Sequence, residues 1–225
     1  MMQNKFSIKQ NFEEKFNEIF SNKDFKHIEQ VKPGFHSIDE IEENSLLFIG
    51  LNPSRKPTDE NYVGDQQFYS LKQKGNGNSN FFKIFEEISE ETKLRWTHLD
   101  LLVVRERSQK IILNLLKDEL GRDFLFKQLM ISKQIIETSN PRIIVVANTL
   151  ARLLIGKMKK DGNNIWIGYD FEFDEELGTD RIVSDCPIMG VPVFFTSMLA
   201  EGRALDLGSR QRLIWHIKRV NEMIK

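Results

Sequence analysis

Two short apolar runs constrain this chain more than any other feature. Leu46-Leu47-Phe48-Ile49 is closed by Gly50, and Ile143-Ile144-Val145-Val146 is introduced by the turn-forming pair Asn140-Pro141. A run with no polar alternation has no face for water. As a strand it must be covered on both sides, which is the condition of strands in parallel sheets. Strands are also expected at residues 99–104 and 191–195. Helical spacing fills the intervals: residues 80–91 (Phe81, Ile84, Phe85 and Ile88 on one side), 111–120, 124–138, 149–159 and 209–223, where Leu213, Ile217 and Val220 form a stripe. Strands alternating with helices predict an α/β fold, a three-layer α/β/α arrangement on a central, mainly parallel four-stranded sheet. Residues 165–185 read as a polar hairpin, with Ile165, Ile167, Tyr169, Phe171 and Phe173 at period two. Residues 1–44 place Phe12, Phe16, Ile19 and Phe20 on one helical face. They predict an N-terminal helical arm packed on a domain of residues 45–225.

Composition narrows the function classes. The 225 residues carry 32 basic and 33 acidic side chains, a net charge of -1, which disfavours nonspecific coating of nucleic acid but leaves room for a local basic groove. A single cysteine, Cys186, rules out an internal disulfide. Four scattered histidines have no metal-ligand spacing, so a structural zinc site is not expected, while counting leaves a carboxylate-based magnesium site open; no cofactor is expected. No apolar run reaches the ~18 residues of a membrane span, and the polar N-terminus lacks a signal-peptide core. A cytoplasmic protein without membrane contact is the expectation.

In open α/β sheets ligands bind beyond the carboxyl ends of the strands. That rule selects the loops after Ile49, Val104 and Phe195, and more weakly the loop after Val146. In the first, Gly50 permits a close backbone approach, and Pro53 biases Asn52 toward an extended conformation. The pattern predicts a fixed amide at the mouth of the sheet, or simply an Asn-Pro turn. The Gly-x-x-x-x-Gly-Lys spacing of a phosphate loop is absent. Beyond the second strand lie Asp100 and a basic cluster of Arg105, Arg107 and Lys110, suited to phosphate contacts or to a solvated loop. Arg203 and Arg210 stand near the start of the last helix, where anions are favoured. Asp206 or Ser209 would cap that helix.

Gly50-Leu51-Asn52-Pro53-Ser54 closely resembles the first motif of the uracil-DNA glycosylase superfamily. The mismatch-specific branch of that superfamily carries Gly-Ile-Asn-Pro-Gly, and the uracil-specific branch has Asp at the Asn position. Phe68, followed by Asn80-Phe81-Phe82-Lys83-Ile84-Phe85, is similar to the family's base-stacking Phe and its Asn-Arg-Phe-Trp helix start. Asn148-Thr149-Leu150-Ala151 looks like the strand-to-helix step before the second motif, and Thr196-Ser197-Met198-Leu199 matches that motif in position. The likeness spans about residues 45–224.

The resemblance implies hydrolysis of the base–sugar bond of a nucleotide flipped out of DNA, through an oxocarbenium-like sugar and without a metal. Asn52 would orient the attacking water and Ser197 would match the second-motif Ser. Gly50, Pro53, Phe68 and Asp100 would form the base pocket. Leu199 would wedge into the vacated stack, and Arg105, Arg107, Arg203 and Arg210 would contact phosphates. The partner implied is DNA, with the protein taken as a monomer. Two departures stand out. Asp100 occupies the place of an Asn that accepts from uracil N3–H and donates to O4; an ionised Asp only accepts, and suits an exocyclic amine. Phe195 stands where the second motif has His or Asn, the usual donor to the departing base anion. A non-catalytic module binding nucleic acid or a protein partner, and an enzyme of free nucleotides or nucleosides, remain alternative readings.

Overall fold

The computed structural model describes residues 5–54, 67–71, 82–158, 165–199 and 205–224. In chain order the strands are β1 (Lys5–Ser7), β2 (Ser37–Ile38), β3 (Glu40–Glu42), β4 (Leu46–Gly50), β5 (Phe68–Tyr69), β6 (Trp96–Asp100), β7 (Ile143–Val146), β8 (Phe171–Asp174), β9 (Thr179–Ile182) and β10 (Pro192–Phe195). The α-helices are α1 (Ile8–Ser21), α2 (Lys83–Thr92), α3 (Gln109–Leu115), α4 (Glu119–Ser139), α5 (Thr149–Ile155) and α6 (Leu207–Met223).

The central sheet has the order β6-β4-β7-β10-β9-β8. The first four strands are parallel, with Leu46 opposite both Trp96 and Ile143. The two apolar runs are thus neighbours at the middle of the sheet, and all eight of their residues are fully buried. Alternation along them sorts side chains between two hydrophobic clusters. Leu47, Ile49, Ile144, Val146 and Val193 join residues of α1, α4 and α5 on one face. Leu46, Phe48, Ile143, Val145 and Phe194 join α2 and α6 on the other.

The sheet is larger than the four strands expected. The 165–185 hairpin extends it: β9 pairs antiparallel with β10, and β8 pairs antiparallel with β9. Strand β10 is too apolar to leave its outer edge open, so the hairpin covers it. The N-terminal segment also differs from a purely helical arm. Strand β1 pairs antiparallel with β3, and β2 pairs parallel with β5. Around them Phe16, Phe25 and Phe35 are buried in the same cluster as the first sheet face.

Helix boundaries shift modestly. Helix α2 starts at Lys83 and α5 stops at Ile155, where Gly156 takes a left-handed φ of +111°. The larger difference is in residues 99–104. The strand here is Trp96–Asp100, and Leu101–Val104 leave the sheet while staying at most 2% exposed. A side chain takes the place of a neighbouring strand. Gln128 of α4, itself fully buried, accepts the main-chain N–H groups of Val103 and Val104 at 3.1 Å each and donates to the Phe124 carbonyl. Ser132 donates to the Leu101 carbonyl at 2.8 Å. Burial of apolar side chains there is compatible with irregular backbone because all four main-chain N–H groups of residues 101–104 find a partner, those of Leu101 and Leu102 in the Gly50 and Leu51 carbonyls.

Replacing Gln128 with Met keeps the volume and orphans two buried N–H groups. We expect a loss of about 1–3 kcal/mol in urea unfolding. A neutral effect would show that these bonds are not what holds residues 101–104.

Candidate functional site

The parallel strands run in the order second, first, third, fourth along the sheet. Successive connections therefore leave β4 and β7 in opposite directions, and a crevice opens between them at their carboxyl ends. A cavity of about 370 Å³ lies there, walled by the loop after β4, the ends of β6 and β7, and the segment after β10. Its size is at the lower end of small-molecule pockets.

Asn52 is the best fixed polar group on the wall. Its Nδ2 donates to the main-chain carbonyls of Pro53 at 3.0 Å and of Glu106. Val104 O lies at 3.4 Å from the same nitrogen. Three carbonyls around one end of an amide decide which end is nitrogen, because an oxygen there would be repelled. The carbonyl Oδ1 is thereby turned the other way. The surrounding main chain is zipped to match: Leu101 N–H donates to Gly50 O, Leu102 N–H to Leu51 O and Glu106 N–H to Pro53 O. The Glu106 carboxylate accepts from the N–H groups of Arg107 and Ser108 at 2.8 and 3.0 Å, ahead of α3. The expected fixed amide at the sheet mouth is what the structure contains.

A second amide faces the same cavity with opposite polarity. Asn148, 6% exposed, caps α5 by accepting from the N–H groups of Leu150 and Ala151 at 2.8 and 3.1 Å. Its Oδ1 is thus occupied by the helix, and its Nδ2 is the end that remains to donate.

Asp100 and Gly50 are cross-strand neighbours. A Cβ at position 50 would stand 2.2 Å from Asp100 Oδ1 and 2.9 Å from His98 Nε2. Glycine is needed here for space. It lets the carboxylate lie over the end of β4, on the cavity wall. His98 shares the face of Asp100, two residues earlier on β6, with Nε2 3.7 Å from Oδ1. Its ring stacks on Phe85 at 5.7 Å and meets Phe82 edge-on at 5.5 Å. His98 and Phe85 both line the cavity. Behind it Tyr69 is buried, and burial together with the charges of Asp100 and Asp39 pushes its phenol well above the ordinary range.

The remaining expected residues divide. Pro53 is buried in the loop and Arg107 is exposed on the cavity rim. Arg105 is half-buried just before it. Phe68 is away from the cavity wall, in an aromatic cluster with Phe35 at 5.4 Å and Phe16 at 6.4 Å. Ser197 is exposed and also off the wall, whereas its neighbours Met198 and Leu199 line it. Leu199 is 1% exposed and packs with the second sheet face, so it is a wall and does not project as a wedge. Arg210 binds Glu87 at 3.1 Å, joining α6 to α2. Asn80, Phe81 and Arg203 lie outside the described residues. Phe195 points to the opposite face from the cavity. It packs edge-on against Phe171 at 5.3 Å and under Lys157 Nζ at 5.5 Å.

His98, Asn148, Phe85 and Glu106 were missing from the sequence-based site. His98 was within reach: once the strand is placed at Trp96–Asp100, side chains two apart fall on one face. Among the described residues, no group of three or more His, Cys, Asp or Glu is arranged to hold a metal ion, and no helix is long and apolar enough to cross a membrane. No family model and no curated protein matches this chain.

Gly50→Ala forces a methyl onto the Asp100 carboxylate and is expected to cost about 1–3 kcal/mol in thermal or urea unfolding. Adding Asp100→Ala removes the nearer obstruction, so the double variant should recover most of that loss. Strict additivity of the two changes would show that the two residues do not meet.

Proposed function

We propose that the chain is a DNA glycosylase-like hydrolase on a three-layer, uracil-DNA glycosylase-like α/β domain. It would cleave the base–sugar bond of a flipped, damaged or deaminated base. The observation that carries this reading is the Asn52 amide, anchored through its nitrogen so that its carbonyl is presented at the mouth of a base-sized crevice.

The chemistry follows from that orientation. An amide oxygen is a weak base, so Asn52 serves to orient a water and not to deprotonate it. Fixing the nucleophile in line with the breaking bond is a large part of what such a site must do, because a misplaced water can cost about 10²-fold. Three side chains supply the rest of the proposed pocket: Phe85 as an aromatic wall, the Asn148 amide as a donor and Asp100 as an acceptor. Arg107 and the neighbouring Arg105 lie on the side from which a phosphate backbone would approach. DNA as partner, and a cytoplasmic setting, belong to this proposal.

One observation favours the free-nucleoside alternative. Leu199 is packed into the wall, so it does not stand out to fill the gap that base flipping leaves in a duplex.

The test is base release from oligonucleotides carrying uracil, hypoxanthine, xanthine or alkylated bases, in single and double strands, beside the matching free nucleosides. Asn52→Ala should lower release at least ~10²-fold in a protein that still melts cooperatively. Asn52→Asp should not restore it, since a carboxylate cannot donate to the carbonyls of Pro53, Val104 and Glu106. Hydrolysis of nucleosides alone would select the second reading. No release from any substrate would end both.

A further inference from the structure

We propose that Asn148 is a catalytic donor: its side-chain N–H holds the negative charge that a base takes on as it leaves. This rests on the hydrolytic reading of the site, and adds to it one residue and one leaving-group class, bases that depart as anions.

The sheet brings Asn148 to the place. Strands β7 and β10 are parallel neighbours with Val146 opposite Phe195, and the Thr196 N–H donates to the Val146 carbonyl at 3.0 Å. The loops that follow them leave the sheet side by side. On β10, Phe195 packs against Phe171 on the far face, and the described residues that reach the cavity after it, Met198 and Leu199, are apolar. On β7 the chain passes from Val146 through Ala147 to Asn148, whose side chain is on the cavity wall.

Burial and bonding decide which end of that side chain is offered. Asn148 is 6% exposed, and the N–H groups of Leu150 and Ala151 occupy its Oδ1. Among the described residues its Nδ2 meets no acceptor. A donor so nearly buried and without a bond is costly, and a ligand acceptor in the cavity removes that cost. The two bonds to Oδ1 also draw electron density from the amide nitrogen, because linked hydrogen bonds polarise one another. Capping thus both aims the donor and strengthens it.

The bond changes balance. Asn52 follows β4, the other neighbour of β7, with Ile49 opposite Val146. The water it holds gives its oxygen to C1′ as the C1′–N bond breaks, and the electron pair passes to the ring nitrogen. A carbonyl-bearing base leaves as an anion whose charge is shared by its oxygens. Asn148 donates a hydrogen bond to it and keeps its own proton, while the proton lost by the water goes to solvent. Asp100 ends β6, on the far side of β4, so two strand spacings, about 10 Å at the sheet edge, separate it from the β7 end of the cavity.

Two measurements decide the matter. Both use Asn148→Asp, which keeps the cap and loses the donor, and Asn148→Ser, a neutral cap of shorter reach. The first is release of uracil and of 5-fluorouracil from oligonucleotides. Each variant should slow uracil release at least about 10²-fold, the scale of one donor to a developing anion. The loss should be smaller for 5-fluorouracil, whose anion is more stable and needs the donor less; a merely structural defect would slow both alike. Equal losses on the two bases, or no loss, in variants of wild-type melting temperature overturn the proposal and leave the glycosylase reading standing. The second needs no turnover and decides alone if wild type releases neither base. Calorimetry compares barbiturate, a pyrimidine ring anionic at neutral pH, with uracil, which is neutral. Wild type should bind barbiturate at least about tenfold tighter, the margin of a hydrogen bond to a charged partner over one to a neutral partner, and both variants should lose that preference. Equal affinities, binding of neither, or a preference that both variants keep overturns the proposal.

Discussion

The carboxyl edge of the sheet depends on β4 being paired on both sides. Its five residues run parallel to β6 along one edge and to β7 along the other, so the strand has no choice of register or of face. Both faces are then interior, which is why the run Leu46–Ile49 has no polar residue. The chain has to change character where it leaves the sheet, and it does so within three residues: Gly50, where a carboxylate crosses over; Leu51, still buried; and Asn52, whose amide ties the loop down. The cavity is the space left where β4 and β7 send their loops in opposite directions.

The two asparagines give that space its polarity. Each spends one end of its amide on main-chain groups, Asn52 its nitrogen and Asn148 its oxygen. Amides are usually ambiguous in orientation, and here the backbone removes the ambiguity in both. The result is an acceptor and a donor whose identities are set by the fold. The flanking His98 and Phe85 stack together beneath, so the floor of the cavity is rigid and aromatic on one side and carries the Asp100 carboxyl group on the other. A rigid polar pattern of this kind discriminates by what it refuses, because a mismatched partner leaves buried groups without their bonds.

The fold was largely legible in the sequence, because the strongest signals were local and redundant. Runs such as Ile143–Val146 have one structural solution, and the helical stripes between them supply the covering layers. Three things were not legible. The hairpin at 171–182 reads the same whether it stands alone or continues a sheet, and only the exposed edge of β10 decides. The run Leu99–Val104 announces burial, and burial alone does not say strand; its backbone partner is Gln128, a residue of a helix more than twenty positions later. At the site, Asn52, Gly50 and Asp100 were readable from their place after apolar strands. Phe68 stands off the cavity wall, and its sequence context could not show this, since an aromatic next to a loop fits a stack of phenylalanines in the arm as well as it fits a ligand. Asn148 was hidden because the capping signal and the cavity use the same side chain.

The Gln128 arrangement has a consequence for how the protein can vary. The carbonyls of Val104 and Glu106, which hold the Asn52 amide, belong to a stretch whose position is set by a helix on the far side of the first sheet face. That helix in turn packs against α1 and the phenylalanines of the arm, Phe20 and Phe25 meeting Phe124 edge-on at 5.3 and 5.4 Å. Residues with no view of the cavity are therefore among its setting screws. A homologue that alters the arm must either keep this helix in place or find another way to hold the amide, and the first thing to drift would be the aim of one carbonyl oxygen.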